Sequence, residues 1–131
     1  MILLDTHVLV WLVTRPGQLS RAATRAIRKA QANQGCAVAS ISLWELAWLF
    51  QRGRLRSAGT IESSVREIVS SAAVNVLEIT ADIATLAVQF AESYPRDPAD
   101  RLIGATARAH GLLLVTQDER IRESPLLRTV W

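Results

Sequence analysis

DPADRLIGATARAHGLLLVTQD, residues 97–118, reads as a helix leading directly into a buried strand. Asp97 can accept a free N–H of the first turn, and Pro98 suits the first helical position, where no amide donor is needed. The helix runs to about His110, where Gly111 supplies a residue free to turn left-handed and end it. Leu112–Thr116 is then a continuous apolar run, too short for a helix. Such a run suits a strand covered on both faces, as in a parallel sheet. Asp118 opens a short helix to Glu123.

The same alternation extends in both directions. Met1–Leu4 is a strand ending at Asp5, and Val8–Val13 is a short helix. Pro16 and Gly17 mark a turn, and Ser20 caps a helix that continues to about Ala32 and ends by Gly35. Cys36–Ser40 is a strand. Ser42 and Glu45 have the spacing of a capping box for a helix through Leu46, Leu49 and Phe50 that stops near Gly53. Ile61–Ala73 is an amphipathic helix and Val74–Ile79 a strand. Ile83, Leu86, Ala87 and Phe90 recur at helical spacing after Thr80, and Leu127–Val130 is a last strand. With no repeat and no linker, this order predicts one domain over 1–131. Its class is α/β, a three-layer α/β/α sandwich with a mainly parallel central sheet.

Bulk properties narrow the function classes. A chain of 131 residues, half of it apolar and 21% charged, can bury its own core and is not a disordered composition. No apolar run is long enough to span a bilayer, so no membrane association is expected. Asp5 and His7 interrupt the apolar N-terminus, which has no basic start, so a secretory signal is not expected. Cys36, the lone cysteine, reads as a buried thiol in a reducing compartment, and the expected location is cytoplasmic.

The net charge of +3 does not identify a nucleic-acid binder, although 14 of the 15 cations are arginine, whose fork pairs with phosphate. Arg21, Arg25, Arg28 and Lys29 fall along one side of a helix. Arg52, Arg54 and Arg56 cluster in a glycine-containing loop. A solvated helix face and a solvated loop fit these residues equally well.

The acids carry more. In an open parallel α/β sheet, the functional crevice lies beyond the carboxyl ends of the strands. Asp5 ends the first strand, Glu45 lies in the first turn of the helix after the second, and Asp118 follows the Leu112–Thr116 strand. Asp100 joins them if its helix feeds that strand from the same side. Clustered carboxylates stay ionised only beside a cation, and an all-oxygen set favours Mg²⁺ or Mn²⁺ over zinc. Such a site suits phosphodiester hydrolysis. Each acid also has a plainer use: Glu45 in its capping box, Asp97, Asp100 and Asp118 at helix starts. Asp5 has no clear capping pattern after it and is the hardest to dismiss.

These stretches resemble a known family. Leu3-Leu4-Asp5-Thr6-His7-Val8-Leu9-Val10-Trp11 is similar to the opening of PIN domains, above all those of VapC-type toxin ribonucleases. Ser40–Glu45 resembles their S-x-x-x-x-E motif, Asp97–Arg101 their D-P-x-D-R helix, and Thr116–Asp118 their T-x-D motif. The four occur in family order over nearly the whole chain. The resemblance implies that Asp5, Glu45, Asp100 and Asp118 bind metal and carry catalysis. Thr116, Thr6, Asp97 and Arg101 are then supporting residues. It also implies a Mg²⁺ cofactor replaceable by Mn²⁺, endoribonuclease activity on RNA, a homodimer, and a small cognate antitoxin. His7 departs from the Ser or Asn of many members; it reads either as a contact to phosphate or as an ordinary polar residue. Arg101 can orient a carboxylate, bind phosphate or form an ordinary salt bridge. Trp11, Trp44 and Trp48 read equally as core or as a partner groove.

Other classes fit less well. A phosphoryl-accepting receiver needs a late lysine, and the one lysine is Lys29. A dehalogenase-type phosphatase needs an aspartate where His7 stands. No glycine-rich nucleotide loop is present. The competing reading is a PIN-like module that binds RNA or protein without cutting. Its mark would be the loss of an acid, and none is lost.

Overall fold

The computed structural model describes residues 1–131 and contains a five-stranded sheet with helices on both faces. In chain order the elements begin with β1 (Ile2–Leu4), α1 (Thr6–Thr14), a 3₁₀ turn (Pro16–Gln18), α2 (Arg21–Gln31) and β2 (Cys36–Ala39). There follow α3 (Ile41–Gln51), α4 (Ile61–Ala72), β3 (Asn75–Leu77), α5 (Ala81–Gln89) and α6 (Pro98–His110). β4 (Leu114–Val115), α7 (Glu119–Arg122) and β5 (Thr129–Val130) complete the chain. The strand order is β3-β2-β1-β4-β5, and every pairing is parallel. The connections therefore reverse direction between β1 and β4, where an open α/β sheet leaves a crevice at its carboxyl edge.

Alternation along the strands builds two cores. Leu4, Cys36, Val38 and Val115 point to one face and pack with residues of α1–α4. Leu3, Ala37, Ala39 and Leu114 point to the other and pack with α5, α6 and α7. Both faces are thus covered, and the α/β/α sandwich expected from the sequence is present. Gly104 lets the second core close: a Cβ there would lie 2.3 Å from the Tyr94 hydroxyl.

Three local expectations need correction. The last two strands are shorter than their apolar runs. The amide of Leu112 donates to the carbonyl of Ala107, so that residue still closes α6 rather than pairing in the sheet. Ser42 and Glu45 do not form a capping box, because α3 starts at Ile41 and Ser40 holds its N-terminal position. The hydroxyl of Ser40 instead accepts the Ile79 amide, and Ser42 is fully buried inside the helix. Asp5, in contrast, does cap a helix, accepting the Thr6 amide at the start of α1.

Candidate metal centre

The β1–β4 crevice gathers acids from four separate segments. Asp5 follows β1, and Asp118 follows β4, its direct neighbour in the sheet. Glu45 projects from the second turn of α3, not the first as its spacing to Ser42 suggested, because the helix already starts at Ile41; Asp100 projects from the first turn of α6. Together with Asp97, His7, Gln117 and Glu119 they line one cleft of about 590 Å³.

Buried hydroxyls set the orientation of these acids. Thr116, fully buried, donates its hydroxyl to one oxygen of Asp5 at 2.7 Å, while the Thr6 amide donates to the other at 2.8 Å. The Thr6 hydroxyl donates to Glu45 and lies 2.8 Å from the Ser42 hydroxyl. One hydroxyl proton cannot serve both partners. With Thr6 donating to an ionised Glu45, Ser42 must donate to Thr6. Asp118 accepts the amides of Arg120 and Ile121, and its own amide donates to Thr116. Asp97 caps α6 by accepting the Asp100 amide at 3.4 Å.

The carboxylate of Asp100 receives no hydrogen bond from the protein. Burial first, and then the negative charges of Asp5, Asp97, Asp118 and Glu45, push its pKa up to about 7. Burial also raises Asp5, against the lowering effect of its bonds from Thr116 and Thr6. Glu45 is raised by burial as well, opposed by the Thr6 hydroxyl. The cleft thus carries more negative charge than it can hold without a counter-charge.

This donor set suits a hard divalent cation: all oxygen, and short of positive charge. As the side chains stand, no three acids close on a single point, because several of their oxygens are engaged by backbone amides and hydroxyls. Mg²⁺ keeps several of its waters and needs only one or two direct carboxylates, so a looser arrangement is compatible with it.

Arg101 is a correction. Its guanidinium donates to the carbonyls of Ala87, Phe90, Ala91 and Tyr94, tying the end of α5 to α6. It makes no salt bridge to a carboxylate and is occupied by backbone rather than facing the cleft. Ser42 was missed as a site residue because its spacing to Glu45 imitates a cap. His7 is exposed and borders both the acid cleft and a second groove of about 780 Å³ lined by parts of α1, α3 and α4. Trp44 and Trp48 are exposed and stack with ring centroids 5.7 Å apart, whereas Trp11 packs against Trp131 at 5.8 Å.

Comparison with known proteins agrees with this architecture. Residues 2–125 match the PIN domain family. The chain is 43% identical to Ribonuclease VapC22 of Mycobacterium tuberculosis (strain ATCC 25618 / H37Rv), over 99% of this chain and 98% of that one. Among solved structures, VapBC2 from Rickettsia felis bound to a DNA fragment from its promoter aligns with a TM-score of 0.73 at 18% identity, covering 99% of this chain and 98% of the other. A toxin–antitoxin complex from Klebsiella pneumoniae aligns with a TM-score of 0.67 at 25% identity, covering 100% and 97%. No helix is long and apolar enough to cross a membrane. The chain belongs to the PIN-domain family, among its VapC-like members.

Proposed function

We propose that this chain is a divalent-metal-dependent endoribonuclease serving as the toxin of a toxin–antitoxin pair. The observation that carries the proposal is the convergence of Asp5, Glu45, Asp100 and Asp118 on the β1–β4 crevice. The 43% identity to a protein named a ribonuclease supports it. Asp5, Asp100 and Asp118 would hold the metal, with Glu45 completing the set. Mg²⁺, or Mn²⁺ in its place, supplies Lewis acidity toward a phosphate oxygen and lowers the pKa of a water. Thr116 and the Thr6 amide fix Asp5, and the Thr6 hydroxyl fixes Glu45, so both carboxylates meet the phosphodiester in one orientation. Asp100, with its pKa near 7, loses its proton most readily when positive charge enters the cleft. Hydrolysis would join a water oxygen to phosphorus and break the P–O bond opposite it, the proton given up by the water balancing the one that leaves with the departing oxygen.

A homodimer and a small cognate antitoxin belong to the same reading. The exposed Trp44–Trp48 stack and the groove beside α1, α3 and α4 offer surface for such partners. The test of the activity is cleavage of end-labelled RNA by the purified chain. Products should form with Mg²⁺ or Mn²⁺, and they should be absent with EDTA and in Asp5→Asn. Equal cleavage in EDTA would remove the metal from the account.

A further inference from the structure

Helix α2 carries Arg21, Arg25, Arg28 and Lys29 and no acid. The remainder of the chain has 11 cations against 12 acids, so without this helix the chain would be slightly acidic. Ala23, Ile27 and Ala30 turn into the core, which leaves the four cations exposed on the outer side around a shallow depression that also includes Thr24. None of the four side chains makes a salt bridge or a hydrogen bond within the protein; the one salt bridge in the molecule is Arg66–Glu62. Arg28 and Lys29 suit the negative end of the helix dipole, but Arg21 lies in the first turn, where a cation is unfavourable. Arg21–Arg25 and Arg25–Lys29 are like charges four residues apart, a destabilising arrangement. Helix stability alone therefore does not account for the ridge.

Six of the twelve acids line the one cleft. Even with a divalent ion bound, six acids leave the cleft a weak attractor for a phosphodiester chain, so positive charge elsewhere would help to hold it. The ridge residues do not line the cleft, and three of the four are arginines, whose forks match phosphate oxygens. The exposed large apolar residues all lie outside α2, so this face lacks the insertion side of a membrane-surface helix and the aromatic centre of a protein interface. We infer that the α2 ridge is an RNA-backbone anchor, binding the phosphates of substrate RNA that extends away from the cleft. This inference rests on the ribonuclease reading for its choice of partner.

The test compares the full chain with a variant carrying Arg21→Gln, Arg25→Gln, Arg28→Gln and Lys29→Gln. The changes are exposed and retain good helix formers. Two half-variants, 21/25 and 28/29, serve if the quadruple variant folds poorly by circular dichroism. Binding of a single-stranded 20-mer RNA is measured from about 50 to 200 mM salt. With roughly 0.7 in slope per phosphate contact, the quadruple change should flatten log K against log salt by about 2–3, and each half-variant by about half of that. KM should rise with kcat unchanged, as expected for lost uniform binding. An unchanged salt slope overturns the anchor. So does loss of sedimentation with phosphatidylserine vesicles while RNA binding is retained. Ridge-dependent RNA binding without any metal-dependent cleavage would keep the anchor and remove the nuclease reading. Cleavage with an unaltered slope would do the reverse.

Discussion

The acid cleft and the α2 ridge each gather charge of one sign, but they are built differently. The cleft draws its acids from segments as far apart as Asp5 and Asp118, brought together because β1 and β4 pair. The ridge is one turn-by-turn repeat within eleven residues. In the cleft, burial makes the charges interact strongly, and protein hydrogen bonds offset only part of the repulsion. On the ridge, water screens each charge, so repulsion is weak and no internal partner is required. The contrast teaches where a counter-ion is demanded by folding energetics and where it only guides association.

The largest effect should come from the centre of the cleft. Asp5→Asn should reduce cleavage by more than the roughly 10–100-fold that follows loss of an outer hydrogen-bond partner. In EDTA its melting temperature should equal or exceed that of the wild type, since one buried charge is gone. Glu45→Gln keeps an acceptor for Thr6 and loses only the charge; a large fall in cleavage at similar stability is expected. Wild-type turnover in that variant would make Glu45 a structural residue. Next, Thr6→Val removes the hydroxyl between Ser42 and Glu45 at nearly constant volume. Cleavage should fall by about 10–100-fold, measured per folded molecule.

The pH dependence comes third. In the metal-free protein, Asp100 binds a proton in the folded state up to about pH 7 but in the unfolded state only below its ordinary value of 3.8. Between these values the folded state holds more protons, so its stability falls as pH rises. Thermal melts in EDTA should show this decline from about pH 4 to 7, and Asp100→Asn should make it shallower, the remainder belonging to Asp5 and Glu45, which burial also raises. A flat wild-type profile would mean that the cleft is less strained by charge than its geometry implies. The smallest effect belongs to the ridge: Arg25→Gln relieves repulsion from Arg21 and Lys29. It should raise stability by a few tenths of a kcal/mol at low salt, read from denaturant midpoints.

The same contrast governs what is readable in the chain. Helix starts at Ser20, Thr80 and Asp97 are local events in which a side chain meets an amide three residues on, and they occur where the pattern places them. The amphipathic ridge is likewise visible as a repeat. Asp5, Asp100 and Asp118 were legible because each follows a strand or opens a helix at the sheet's carboxyl edge, whereas Glu119, which also lines the cleft, was not. Nor were their partners. Ser42 looks like a cap because its true partner, Thr6, is 36 residues away. Arg101 looks like a charge beside a charge, yet its four acceptors are backbone carbonyls at the end of α5 and just beyond. Tertiary hydrogen bonds have no period, so spacing does not reveal them.

The central claim, that the β1–β4 crevice is a divalent-metal site, is tested most directly by anomalous diffraction from crystals of the wild-type protein soaked in Mn²⁺. The account predicts an anomalous peak in the cleft bounded by Asp5, Asp100 and Asp118, with a carboxylate oxygen about 2.0–2.2 Å from it. The peak should be lost in Asp5→Asn. Manganese bound elsewhere on the surface, with none in the cleft at a concentration that supports cleavage, would contradict it.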